Sequence, residues 1–353
     1  MTTERHLLQV LPDVCLELIA DGRTSRQLLA EYADRYERRG APDLVVRIGR
    51  GRSAADDPGR ATSPGSHKTV SWSAHVSDPA AAPLELDLAI RGVPRWFAVS
   101  LTQGYLIEPL ISVAAARTRT VLLPAAAVSL PGGAVLLVGR SRTGKSSVSA
   151  RAAAAGIPVI GDDQVLVYPD GRLARFPRRM RFYDDLRVTA PDAFRRLGIR
   201  SRTALHARTL ARYATGGYVR PSLAVDASEL GQPGREAHLG RVIVLERTTN
   251  RSTTTYGGAS VGETLEVLHG VLREQRRHLT ALGPAWQSAL EQVAAAEETV
   301  LTEALARVPI ERLRIADHLS APEAIDIVWN QLVRTSATPA APSAGSSLTT
   351  PRG

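Results

Sequence analysis

The run Gly139-Arg140-Ser141-Arg142-Thr143-Gly144-Lys145-Ser146 satisfies the pattern G-x-x-x-x-G-K-[ST] in full. An apolar stretch, GAVLLV (133–138), precedes it and KSSVSARAAAAG (145–156) follows, so the spacing predicts strand, loop and helix in that order. Such a loop binds phosphate because its backbone N–H groups converge at a helix N-terminus, where the helix dipole favours an anion. Lys145 would reach the β- and γ-phosphates of a nucleotide, and the Ser146 hydroxyl would ligate Mg²⁺. The expected nucleotide contact set is Gly139, Arg140, Ser141, Arg142, Thr143, Gly144, Lys145, Ser146 and Ser147.

Lys145 is one of two lysines, with Lys68, among 44 basic residues. A chain that uses arginine wherever charge alone matters keeps a lysine where a compact ammonium must fit inside a closed loop. A planar guanidinium is not equivalent there.

The second chemical feature is Asp162-Asp163, one helix and one short strand after the loop. Alone, such a pair is a strand-end turn. Most phosphate-loop proteins place the magnesium-binding acid farther downstream, on a strand that is not the next one. The tight order found here (loop, Gly-Lys-Ser, helix, glycine, apolar strand, Asp-Asp) resembles the catalytic domain of HPr kinase/phosphorylase, a P-loop kinase whose fold is related to phosphoenolpyruvate carboxykinase. The resemblance runs in outline from Leu122 to Leu332 and rests at motif level on residues 139–163. It implies that Asp162 is the general base for an accepting hydroxyl, with Lys145 beside the transferred phosphate. It implies that Asp163 joins Ser146 in holding Mg²⁺, with ATP as phosphoryl donor. The acceptor it implies is a serine or threonine of a protein or peptide. A small molecule or a ribosomally made peptide stays open.

Three departures from the family pattern narrow this. Pro124 stands where the family often has a histidine, and Arg142 stands where the loop commonly has glycine. The family's downstream Glu-[Ile/Val]-Arg-Gly-Leu-Gly signature has no counterpart in 178–240. The likeness is therefore to the wider HPr kinase-like group, and HPr itself is not the expected substrate. A non-catalytic nucleotide sensor or scaffold is the rival reading, and a mechanical ATPase ranks third.

These residues need elements to position them. Helical spacing over 6–38, strands over 43–48, 68–76 and 84–90, a mobile loop over 49–67 and a helix over 107–117 predict an α+β region, 1–115. By elimination it is the substrate or partner module. Residues 116–335 read as the α/β P-loop domain. It has two strands around Pro131-Gly132-Gly133, a hairpin turned at Pro169-Asp170-Gly171, strands over 240–247 and 308–315, and helices over 262–306 and 321–334. The tail 336–353, rich in Ser, Pro and Ala, is expected to be disordered.

At 353 residues the chain suits about two domains. No run approaches the roughly 18 apolar residues of a membrane span, and the N-terminus lacks a signal-peptide pattern. The single cysteine, Cys15, excludes an internal disulfide. The reading is a cytoplasmic protein without a membrane partner, and a homo-oligomer stays open. The net charge of +9 invites nucleic acid, but the arginines are scattered and only 5% of residues are aromatic, which weighs against it. Twelve arginines lie in 172–212, among them Arg178, Arg179 and Arg181; they could receive an acidic substrate or the nucleotide tail, and a solvated face is the preferred reading. His206, His238 and His269 show no metal-ligand spacing.

Overall fold

The computed structural model describes residues 2–32, 36–37, 40–49, 61–216, 222–249 and 255–334. It begins with an antiparallel pair, β1 (Thr3–Leu11) and β2 (Val14–Asp21), turned at Pro12-Asp13. Among the described residues of 6–38, helix is confined to α1 (Gly22–Glu31), which corrects the helical reading of that stretch; 33–35 and 38 lie outside the described residues. The reason is burial on both faces: Leu8–Leu11 and Val14–Leu18 are covered without a break. A strand so buried loses its alternation and looks like a helix segment. The Pro-Asp turn was the deciding signal. Asp21 starts α1 by accepting the N–H groups of Arg23 and Thr24, each at 3.0 Å.

Strands β3 (Leu44–Gly49), β4 (Ala61–His67), β5 (Val70–Val76) and β6 (Leu84–Gly92) complete a six-stranded sheet of order β1-β2-β3-β6-β5-β4. The β2–β3 and β3–β6 pairs are parallel and the others antiparallel. The three strands expected from 43–90 are present. The loop expected over 49–67 is corrected at 61–67, which forms β4, while 50–60 lies outside the described residues. Its Pro64 is tolerated because β4 is an edge strand.

One helix then runs through α2 (Arg95–Thr102), a π-turn (Gln103–Ile107) and α3 (Glu108–Ala116), starting well before the expected residue 107. Pro109 accounts for the wide turn, because it has no N–H to give back to Tyr105 and its ring crowds that carbonyl. Contrary to the sequence expectation, this helix is long and apolar enough to cross a membrane. Within the protein, 72% of its apolar window is buried, as in a core helix.

The second sheet has nine strands. The chain enters it through β7 (Val121–Leu123), β8 (Ala126–Leu130) and β9 (Gly133–Gly139), then passes α4 (Lys145–Ala154). Next come β10 (Val159–Gly161), β11 (Val165–Val167) and β12 (Arg172–Arg175). An excursion follows through β13 (Met180–Phe182), α5 (Leu186–Thr189), α6 (Pro191–Arg196), α7 (Ile199–Ala214) and β14 (Leu223–Val225), in which β13 and β14 pair with each other. The long strand β15 (Glu236–Thr248) returns to the sheet, followed by β16 (Thr255–Gly258), α8 (Val261–Arg276), α9 (Pro284–Leu305), β17 (Ile310–Ala316) and α10 (Ala321–Arg334).

Its order is β10-β8-β9-β15-β12-β11-β7, with β17 on β15 and β16 on β17. β15 is parallel to both β9 and β17, and β9, which delivers the phosphate loop, lies inside the sheet between β8 and β15. One face is covered by α4 and α10, with Val148, Ile325 and Val328 in its core. The other is covered by α8 and α9 through Leu268, Leu272 and Leu301. The apolar cluster under the six-stranded sheet crosses residue 115 and takes in Leu122, Phe176 and Trp286. The chain is a mixed α/β protein built on two mixed sheets. The tail 336–353 lies outside the described residues.

Candidate functional site

β9 ends at Gly139, and the chain turns through 140–144 into α4. Gly139 packs so closely on β15 that a Cβ there would lie 2.5 Å from the Leu245 carbonyl oxygen. Gly144 takes φ +98°, where a Cβ would meet Ile325 Cδ1 at 2.3 Å. Arg142 also adopts a left-handed conformation, φ +70°, which costs a residue with a Cβ about 1 kcal/mol. This is the position where the resemblance leads one to expect glycine. The side chains of Arg140, Ser141 and Arg142 are exposed.

Lys145 curls back into the loop, donating from Nζ to the carbonyl oxygens of Gly139 (2.6 Å) and Arg140 (2.9 Å). It is buried, and burial lowers its pKa while the nearby Asp163 carboxylate opposes that shift. Thr143 Oγ1 donates to the same Arg140 carbonyl at 2.9 Å. No side chain caps the N-terminus of α4. A helix start without a side-chain cap, with an ammonium folded beside it, fits a phosphate. Ser147 donates to Thr189 Oγ1 at 3.1 Å, which ties the helix start to α5.

The acidic pair lies against this helix start: Ser146 Oγ is 3.5 Å from the Asp162 carbonyl oxygen. The two carboxylates differ sharply. Asp162 is buried and accepts the Arg181 backbone N–H on Oδ2 at 3.1 Å. Burial first, and then the charge of Asp163, push its pKa up to about 7. Asp163 is half exposed and pairs with Arg178 Nη1 at 3.3 Å. Ser146 and Asp163 are hard oxygen donors, and Mg²⁺ is commonly held by one or two such groups together with nucleotide phosphates. Among the described residues no group of three or more His, Cys, Asp or Glu could hold a metal ion alone. Ser146 and Asp163 would suit a cation that also takes phosphate oxygens as ligands.

The solvated-face reading of the arginines is corrected for two of them. The side chains of Arg178 and Arg181 are only 10% and 14% exposed. Arg178 Nη1 also donates to Glu108 Oε2 at 2.9 Å. Arg181 donates to Ser100 Oγ (2.5 Å), Gln103 Oε1 (3.2 Å) and Glu31 Oε2 (3.3 Å). Glu108 is buried and also accepts from Gln103 (3.1 Å) and Gln164 (2.9 Å). Glu31, Ser100, Gln103, Glu108 and Gln164 are absent from the sequence reading. The only local sign of them was Pro109 beside a glutamate in an apolar helix. Pro124 sits between β7 and β8. His206 packs edge-on against Phe194.

No family model matches the chain, and no curated protein matches it.

Proposed function

We propose that the protein is an ATP-dependent phosphotransferase acting on a hydroxyl, of the HPr kinase-like kind. In this reading residues 116–335 form the kinase domain and residues 1–115 receive the acceptor or a partner. The observation that carries it is the contact of the Ser146 hydroxyl with the backbone of Asp162. A hard-oxygen pair thereby lies at the start of the helix that follows a complete phosphate loop.

Mg²⁺-bound ATP would supply the phosphoryl group and screen its charge. The chain's own residues do the rest. The loop amides at the start of α4 and the Lys145 ammonium bind the β- and γ-phosphates, and Ser146 with Asp163 holds the cation. Asp162 keeps Oδ2 on the Arg181 N–H, which leaves Oδ1 to take the proton from the acceptor hydroxyl. A carboxylate with a pKa near 7 is matched to that task at neutral pH. Burial of both Lys145 and Asp162 keeps bulk water from competing with the acceptor.

The test is γ-labelled ATP with the purified chain and candidate acceptors: serine and threonine peptides, and small alcohols. Label on an acceptor supports the proposal. Release of free phosphate alone would make the protein an ATPase. Bound, unchanged ATP would make it the nucleotide sensor of the rival reading.

A further inference from the structure

Between the acidic pair and the helix 95–116 lies a line of buried charge. Arg178 Nη1 is shared by Glu108 at 2.9 Å and Asp163 at 3.3 Å. Glu108 is 1% exposed, whereas the Asp163 side chain is 51% exposed. Burying a carboxylate and a guanidinium is costly, and such a pair is weak evidence for stability alone. The π-turn at Pro109 also places it. Residues five apart on an α-helix point about 140° away from each other. The π-turn, with Glu108 N–H on the Gln103 carbonyl, brings Gln103 and Glu108 onto one side, where their side chains bond at 3.1 Å. Such turns are frequent at functional sites.

Glu108 accepts three side-chain donors, so it is fixed. Among the described residues Asp163 accepts from Arg178, and its side chain is otherwise open to solvent. Arg178 Nε and Gln164 Oε1 are buried without a partner among the described residues, and both residues line the same narrow cavity as Asp162 and Asp163. One guanidinium nitrogen thus faces a buried carboxylate and a half-exposed one.

We propose that Glu108 is a positioning residue for the acidic pair: it competes with Asp163 for Arg178 and so sets how readily Asp163 leaves that arginine for a divalent cation. This rests on the reading of Asp163 as a ligand of the nucleotide's cation. Glu108→Gln gives Arg178 wholly to Asp163, and cation affinity falls. Removing Arg178 frees Asp163, and cation affinity rises. Arg178→Gln alone would strand Glu108 as a buried charge. The double variant Glu108→Gln, Arg178→Gln removes both charges while keeping similar shapes.

The experiment is binding of Mn²⁺ to the full chain with a non-hydrolysable ATP analogue, followed by electron paramagnetic resonance, with melting curves to confirm folding. Affinity should weaken about fivefold in Glu108→Gln and tighten about fivefold in the double variant, as expected for a partly exposed ion pair gained or lost. A purely structural Glu108 would move both variants in the same direction, or neither, and that result overturns the proposal. If labelled phosphate still reaches an acceptor in the native chain, the kinase reading survives that outcome. If the native chain with the analogue binds no Mn²⁺ beyond the analogue alone, both fall together.

Discussion

Asp162→Asn offers a test of the site that needs neither nucleotide nor acceptor. The carboxyl is buried, it accepts the Arg181 N–H at 3.1 Å, and Asp163 repels its charge. Its pKa is raised to about 7 in the folded chain, against about 3.9 in an unfolded one. Between those values the folded chain holds a proton that the unfolded chain has released. The stability from this group is therefore complete below about pH 4, falls as pH rises toward 7, and is constant above that. Linkage puts the loss at about 2–3 kcal/mol between pH 5 and pH 8. Asparagine has nothing to titrate and can still accept the Arg181 N–H, so its contribution is flat. Urea unfolding of both proteins near pH 5 and near pH 8 reads the difference, and histidines common to both cancel. The Asn variant should gain about 2–3 kcal/mol relative to the native chain on going from pH 5 to pH 8. A difference that does not change with pH would mean that Asp162 is not held near neutrality, and its role as a poised base would go with it. In the transfer assay the same variant should lose about a hundredfold or more in rate.

Lys145→Arg should lose most ATP affinity although it keeps the charge, because the ammonium sits within 2.9 Å of two loop carbonyls and a guanidinium does not fit that space. Wild-type affinity by calorimetry would contradict this. Arg142→Gly should raise stability by about 1 kcal/mol by relieving the left-handed backbone, and a lower melting temperature would show that the exposed guanidinium matters more. Glu297→Gln should cost about 3 kcal/mol in urea unfolding, since Arg276 donates to both Glu297 oxygens (2.8 and 2.7 Å) in a buried pair between α8 and α9. With Pro124 where the family often has histidine, phosphorylated product and inorganic phosphate should not yield pyrophosphate. Its detection by an enzyme-coupled assay would contradict that.

What could be read from the sequence was what is local. The phosphate loop is a set of consecutive residues whose geometry depends on its own glycines, so the motif and the start of α4 at Lys145 agree. In β5, Val70, Trp72, Ala74 and Val76 are buried in alternation, so the period of two is written in the residues. β1 and β2 are covered on both faces and carry no such period, which is why they read as helix. β4, ATSPGSH, is an edge strand with little apolar content to mark it. The partners of Arg178 and Arg181 were illegible for a different reason. Glu108 is 70 residues from Arg178, and Glu31 is 150 from Arg181, so only the packing of the helix 95–116 and α1 against the acidic turn makes them neighbours.

Those long-range pairs also bear on why the two sheets share one chain. The acidic pair and the phosphate loop both come from the nine-stranded sheet, and a loop with two carboxylates is complete there by sequence. The arginines beside the carboxylates are held from the other side, by Glu31 of α1 and by Ser100, Gln103 and Glu108 of the helix that follows β6. Without those anchors Arg178 and Arg181 would be long, mobile cations next to Asp162 and Asp163, free to occupy the carboxylates in many arrangements. Fixed donors and acceptors leave one arrangement, in which Asp162 is buried and Asp163 stays open to solvent. The half-exposed Asp163 thus shares its arginine with a glutamate of the helix that follows β6, a partner that the residues around the acidic pair cannot express.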